Sequence, residues 1–386
     1  MLEFGRALQR KFRLEAGVDF INHGSFGAAP IEVLDAAGRW RERMEANPDH
    51  FLRDVLPDAL RNAAGDLARF IRADASDLVF VENATAAINA VLRSLDFKAG
   101  DEILINSQSY GAVRQAVRYV CERSGAKAVE PRLAVPVAGP EQLVEAFANA
   151  INHRTRLVIV DHVSSPTGLV WPVAKIVASA RRRGILVLVD GAHAPGQVEL
   201  DVPAVGADWY TGNCHKWLFA PRGCAFLWAR SERKSLIHPL AISHDYGRGF
   251  TAEFDWPGTR DFSPWLAVGA GLRFMEQLGA DAVRDYCREL AASAAAKIAR
   301  AWAQPMAGPP AMHAAMMAIR LPDALQQPGA TREAARRLQS ALMDRHRIAV
   351  AIAAIDGALW ARISAQVYNS LADYDRLIDA GRRAPS

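Results

Sequence analysis

Residues 185–190, ILVLVD, form an unbroken apolar run that ends on a carboxylate, and the next twenty-six residues, GAHAPGQVELDVPAVGADWYTGNCHK (191–216), end on a lysine. An apolar run of this length without polar alternation is the pattern of a strand covered on both faces. Upstream, the same texture recurs at RLVIVDHV (156–163), EILIN (102–106) and LVFV (78–81). Helical patterns separate these runs: one from Thr85, one near 111–123 and one over 172–183. Strands alternating with helices in this way predict an α/β fold built on a mainly parallel sheet. Ligands of such sheets bind at the carboxyl ends of the strands, where Asp190 stands.

Downstream, short strand patterns at Asp208–Tyr210 and Cys224–Trp228 flank Thr211-Gly-Asn-Cys-His-Lys216. A helix is expected over 263–278, with Gly269-Ala-Gly271 as a packing contact inside it. The texture then changes to an Ala/Arg-rich helix (285–303), a Pro/Gly-rich loop (305–310), MMAIRL, a further helix and RIAVAIAAI. We read a large domain over 15–275 and a smaller C-terminal α/β domain over 276–386, with segment 1–14 packing nearby.

Composition excludes several classes. The 386 residues carry 46 Lys+Arg against 42 Asp+Glu, a net charge of +4 with no long basic run, which argues against a nucleic-acid partner. No apolar stretch approaches the ~20 residues of a membrane helix, so no membrane partner is expected. Four cysteines without a C-x-x-C pair suggest neither a disulfide framework nor a zinc site, and no metal is expected. The charged N-terminus MLEFGRALQRKFRLEAG lacks a secretory pattern, and the chain reads as cytoplasmic. Phosphate-loop, zincin, nucleophile-elbow and dinucleotide motifs are all missing.

A carboxylate at the end of a buried strand needs a positive partner, and a lysine in a partly desolvated site has a lowered pKa and condenses with aldehydes. Asp190 and Lys216 at neighbouring strand ends therefore suit pyridoxal phosphate, which needs a lysine for its aldehyde and an acid to keep its ring nitrogen protonated. Its dianion finds a place at Asn83-Ala84-Thr85, where strand LVFV turns into a helix N-terminus. Taken singly, Asp190 reads equally as a satisfied strand-end carboxylate, Lys216 as a surface lysine and Thr85 as an N-cap.

VDGAHAPGQVELDVPAVGADWYTGNCHKWLFAPRGCAFLW (189–228) resembles the class V aminotransferase superfamily, specifically its isopenicillin N epimerase-like branch. INHGSFGAAP (21–30), FVENATAAINAV (80–91), SYGAV (109–113), SSPTG (164–168), PGTRDFSPW (257–265) and RISAQVYN (362–369) resemble the same branch in the same order. The resemblance implies a fold type I enzyme with a mainly parallel seven-stranded sheet. It further implies that Lys216 is the Schiff-base lysine that also moves the substrate's Cα proton, and that Asp190 partners the pyridinium nitrogen. His193 would contact the ring's phenolic oxygen, and Tyr110 would stack on the open face of the ring. Ala84, Thr85, Asn213 and His215 would cradle the phosphate, with Thr259 reaching it from the other subunit of a homodimer. Arg362 would clamp the α-carboxylate of an amino-acid substrate, with Asn22, His23 and Gly24 nearby; a capped-turn role for His23 is equally open.

Two departures bear on chemistry. Ser165 stands where many relatives have an asparagine that reaches the phenolic oxygen. No cysteine follows Cys287, so the mobile-loop nucleophile of cysteine desulfurases has no counterpart, and Cys214 and Cys224 read as packing residues. The resemblance favours an epimerase or racemase, with a C–S lyase of cysteine desulfhydrase or sulfoxide lyase type, or an aminotransferase, as the alternatives. A non-enzymatic scaffold has no need to keep Lys216, Asp190 and Arg362 together.

Overall fold

A computed structural model describes residues 3–326 and 330–382. Its central sheet contains strands β1 (Leu78–Val81), β2 (Glu102–Leu104), β3 (Lys127–Val129), β4 (Thr155–Asp161), β5 (Leu186–Asp190), β6 (Trp209–Asn213) and β7 (Ala225–Ala229). The spatial order is β1-β7-β6-β5-β4-β2-β3, and β7 alone runs against its neighbours. The seven-stranded, mainly parallel sheet that the resemblance implies is present.

The apolar strand runs are buried because helices cover both faces of the sheet. One face gathers Val158, Val160, Val187 and Val189, and the other Leu157, Ile159 and Leu188. Each side chain of this size contributes about 1.5–3 kcal/mol when it leaves water. The register sets Asp161 directly opposite Asp190, so two carboxylates end adjacent parallel strands. Gly191 follows at once, and a Cβ there would lie 2.3 Å from the Tyr210 ring of β6. A side chain at this position would push β5 and β6 apart.

A second sheet is antiparallel, with β8 (Met316–Arg320), β9 (Ala351–Ile355) and β10 (Ala358–Ser364) in the order β9-β10-β8. The long helix Ala280–Trp302 packs on it through Leu290, Ala294 and Ile298, forming a separate core with Met317, Ile319 and Ile363. Arg362 lies on the middle strand, paired with Ala351 on one side and Ala318 on the other.

The N-terminal segment ties the two parts together. Gly5 donates its N–H to the Val367 carbonyl at 2.7 Å, and Arg6 pairs with Asp373 at 2.9 Å. Phe12 meets the edge of the Tyr368 ring at 4.7 Å and also packs on Phe219 and Phe274. The expected helix over 263–278 is two helices, Ser263–Leu266 and Val268–Leu278, that meet at Ala267. Gly271 sits in the second, where a Cβ would lie 2.4 Å from the Leu218 carbonyl, so the glycine pair is a packing contact. None of the described helices is long and apolar enough to cross a membrane.

Candidate active site

Lys216 lies in a one-turn helix, Cys214–Trp217, at the carboxyl end of β6. The Cys224 carbonyl pins this turn by accepting from the Cys214 N–H at 3.0 Å, the His215 N–H at 3.1 Å and His215 Nδ1 at 3.0 Å. From the other side, His23 Nε2 donates to the Lys216 carbonyl at 2.7 Å. Gly27, at φ +69, sits so close that a Cβ would lie 1.9 Å from the His215 carbonyl oxygen. The Lys216 turn is therefore clamped by backbone on both sides, and its Nζ approaches His193 Nε2 at 3.0 Å.

Electrostatics here follow from burial. Removal from water lowers the Lys216 ammonium to about 7, with the Arg362 charge adding to the effect and Asp190 opposing it. The same cause holds His215 near 4 and His193 well below its ordinary range, so both imidazoles are neutral. Asp190 is buried, and its Oδ1 accepts the Ala192 N–H at 3.0 Å. Among the described residues no cationic side chain is ion-paired with it. Burial pushes its pKa up, opposed by the Ala192 N–H bond and the Lys216 charge, and its carboxylate is left for a positive partner.

Arg362 is also buried, and burial lowers its guanidinium to about 10. Its Nη1 donates to the Ser165 carbonyl at 2.5 Å, and its Nη2 to Asn22 Oδ1 and Ser25 Oγ, each at 3.0 Å. Its Nε has no partner and, among the described residues, no carboxylate pairs with it. A guanidinium built into the core with neutral acceptors retains its charge for an external anion.

These residues fit pyridoxal phosphate. A buried lysine of lowered pKa, a buried carboxylate without a cation and an unpartnered His193 Nδ1 are the groups its aldehyde, ring nitrogen and phenolic oxygen require. For the phosphate, the Thr85 N–H lies in the first turn of the helix Ala84–Ser94, and Asn213 and His215 flank Lys216. Tyr110, half exposed, stands at the N-terminus of the helix Gly111–Ser124.

Several expectations change in detail. The Ala84 N–H is not free for phosphate, because it donates to Asn213 Oδ1 at 2.9 Å. That bond fixes the helix start against the lysine strand, a positioning role for both residues. His23 has no exposed surface; Nδ1 accepts from the Tyr368 hydroxyl at 2.8 Å while Nε2 holds the Lys216 carbonyl. Through these two bonds His23 supports the lysine turn. Gly24 is buried against Met316 and Ser364, and Asn22 is turned to Arg362, so neither lines an open surface. Ser165 meets Arg362 through its carbonyl, with its hydroxyl 3.5 Å from Nη1. Thr259 lies exposed on the surface, in the loop that Arg260 fastens to Glu82.

The sequence reading missed Ser25, which holds Arg362, and the buried polar group Asn106, Ser109 and Asp161. Asp161 ends RLVIVD as Asp190 ends ILVLVD, and that repetition was the available signal.

An α/β fold carrying a lysine of lowered pKa at a strand end, beside an unpaired strand-end carboxylate, defines a pyridoxal phosphate-dependent enzyme. The family pattern of aminotransferase class V matches residues 27–377, and the chain belongs to that family. It is 35% identical over 387 residues to isopenicillin N epimerase of Amycolatopsis lactamdurans, covering 95% of each chain. It is 33% identical over 404 residues to a putative L-cysteine desulfhydrase of Oryza sativa subsp. japonica, covering 95% of this chain and 83% of the relative. The cysteine desulfurase of Thermococcus onnurineus NA1 superposes with a TM-score of 0.82 over 98% of both chains at 20% identity, which bears on the fold.

Proposed function

We propose that the chain is an epimerase or racemase that moves the α-proton of an amino acid. The observation that supports this reading is the buried Lys216 amine held 3.0 Å from His193, together with the similarity to isopenicillin N epimerases at 35% identity. Pyridoxal phosphate supplies an electron sink for the pair left on Cα when the proton departs. Arg362 holds the substrate carboxylate by its planar fork, and the Asn22, Ser25 and Ser165 socket fixes the direction of that fork. Lys216, whose ammonium is lowered to about 7 so that a large share is neutral amine at neutral pH, takes the Cα proton on its own side. His193 holds the Lys216 amine at 3.0 Å between transfers. Inversion needs a second proton group on the opposite face, and Tyr110 is the side chain this reading assigns to it. The same reading makes the active enzyme a homodimer, in which Thr259 meets the neighbouring phosphate.

C–S lysis is the second reading, favoured by the cysteine desulfhydrase relatives. It needs Lys216 and Arg362 but no second-face donor. A persulfide-forming route through a protein thiol has no support here. Cys287 is fully enclosed, and burial raises its thiol far above the ordinary range.

The deciding experiment incubates the cofactor-loaded enzyme with L- and D-amino acids and cysteine S-conjugates in deuterated water and follows products by NMR. Deuterium at Cα with inversion supports the epimerase reading. Pyruvate with released thiol supports C–S lysis in its place.

A further inference from the structure

Asp161 is a buried carboxyl that the chemistry above does not use. It lies at the end of β4, directly opposite Asp190 in the parallel register. Its Oδ2 accepts from Asn106 Nδ2 at 2.9 Å and from Ser109 Oγ at 3.2 Å. Those donors belong to one tight loop. Within it, the Ser109 N–H donates to the Asn106 carbonyl at 3.0 Å and the Gln108 N–H to Asn106 Oδ1 at 2.8 Å. Gln108 Oε1 in turn accepts from Thr167 Oγ1 at 2.8 Å and Ser164 Oγ at 3.2 Å, so the loop is also tied to the chain beside Ser165. Asn106, Gln108 and Ser109 are all buried, and the next residue, Tyr110, is half exposed.

The loop thus has a fixed base and a free tip, and its base rests on the neighbour of Asp190. We propose that Asp161 is a positioning residue that locks the Asn106–Ser109 loop and so sets where Tyr110 stands relative to Asp190 and Lys216. The proposal rests on the reading of Tyr110 as the ring-facing residue.

Charge supports this arrangement. Two carboxylates buried on paired strand ends do not both ionise. Burial and then the Asp190 charge raise Asp161 to about 8, so it enters the site as a neutral acid. A neutral Asp161 holds the loop while Asp190 keeps the negative charge for the ring nitrogen. The conservative replacement is therefore Asp161→Asn, which keeps an oxygen acceptor for Asn106 and Ser109 and adds no charge.

The test uses the full-length protein in two states. In the cofactor-free protein, hydrogen–deuterium exchange of residues 106–112 is measured for wild type, Asp161→Asn, Asp161→Ala and Ser109→Ala. We expect exchange at least about tenfold faster in Asp161→Ala, with protection restored in Asp161→Asn. Ser109→Ala removes its bond to Asp161 and the Asn106 N–H bond to its own hydroxyl without altering the sheet; faster exchange at residues 107–112, away from that second bond, is expected there too, which covers the case in which Asp161→Ala fails to fold. In the loaded protein, visible circular dichroism of the bound cofactor is compared among Asp161→Ala, Tyr110→Ala and the double variant. Loss of the signal in each single variant with no further loss in the double is the expected result. Wild-type exchange in both Asp161→Ala and Ser109→Ala overturns the anchoring. A loosened loop with an unaltered signal in Tyr110→Ala overturns the reading of Tyr110 and the proposal with it, and the two failures are told apart by the exchange data.

Discussion

Lys216 Nζ stands 3.0 Å from His193 Nε2, and the other ring nitrogen of His193, Nδ1, is buried without a partner. When the ammonium donates to Nε2, the proton of the neutral imidazole resides on Nδ1. A buried N–H without an acceptor is costly, so this donor is set for an oxygen that only a bound cofactor brings. The lysine and the histidine are thereby one unit, holding an amine ready at one end and an oxygen contact at the other.

The first prediction follows from the lowered Lys216 ammonium. Covalent capture of pyridoxal phosphate by the cofactor-free protein requires the neutral amine, so its rate rises with pH and levels off above a midpoint near 7. Arg362→Gln removes a like charge and moves the midpoint up. Asp190→Asn removes an opposite charge and moves it down. Stopped-flow absorbance across pH 5–10, in steps of about half a unit, reads all three midpoints. A midpoint near 10 in the wild type would show that the amine is solvated.

The Arg362 socket makes a kinetic prediction. Ser165 takes up one hydrogen of Nη1 and Asn22 with Ser25 the two of Nη2, which gives the guanidinium a single orientation. Arg362→Lys keeps the charge and loses the fork, so KM for the amino acid should rise by about tenfold or more while kcat falls less. Asn22→Ala loosens the same fork without removing it, and a smaller rise in KM is expected. Steady-state kinetics on the substrate identified by NMR distinguish these outcomes from a uniform loss of kcat.

The sheet was legible because β4 and β5 are apolar on both faces, a pattern that survives without alignment. Strand β3, Lys127–Val129, was not, because an edge strand with exposed side chains carries no apolar run. Lys216, Asp190 and Arg362 were singled out from their motifs; the structure buries all three, and among the described residues Asp190 has no ion pair. The pairing of Asp161 with Asp190 was not legible, since register depends on how β4 and β5 slide together. The burial of His23 was hidden for a related reason. Its partners Tyr368 and Lys216 lie far away in sequence, and nothing local distinguishes a capped turn from a substrate contact.

Tyr110→Phe separates inversion from lysis. If the phenol delivers the second-face proton, the variant loses epimerisation by about a hundredfold or more, yet still exchanges the Cα hydrogen of one enantiomer with deuterated water through Lys216. A C–S lyase would lose little, because its proton transfers all run on the lysine side. NMR of Cα deuteration in each enantiomer measures both quantities in one sample.

Gly27→Ala tests the clamp on the lysine turn. The position has φ +69 and ψ 167, a conformation that side chains disfavour, and the new methyl would meet the His215 carbonyl oxygen. Strain and overpacking together should cost about 2–4 kcal/mol of stability. The displaced His215 carbonyl belongs to the residue before Lys216, so weaker cofactor retention should accompany the lower melting temperature. An unaltered melting temperature would mean that the N-terminal segment moves away without penalty.

The final prediction concerns stability against pH. Asp161 is raised in the folded chain to about 8 from an ordinary 3.8, so between these values the folded state holds a proton that the unfolded state has released. Stability contributed by that proton is complete below the ordinary value and is lost as pH rises through the folded one. Asp161→Asn removes the titration while retaining the hydrogen bonds to Asn106 and Ser109. The stability of the cofactor-free wild type should therefore fall relative to the variant from about pH 4 to pH 8, by no more than about 1.4 kcal/mol per pH unit for a single proton, and its melting temperature should fall with it. Differential scanning at a fixed heating rate gives the comparison, and the other ionisations largely cancel between the two proteins. Parallel curves would mean that Asp161 is ionised when folded, and Asp190 would then be the member of the pair that carries the proton.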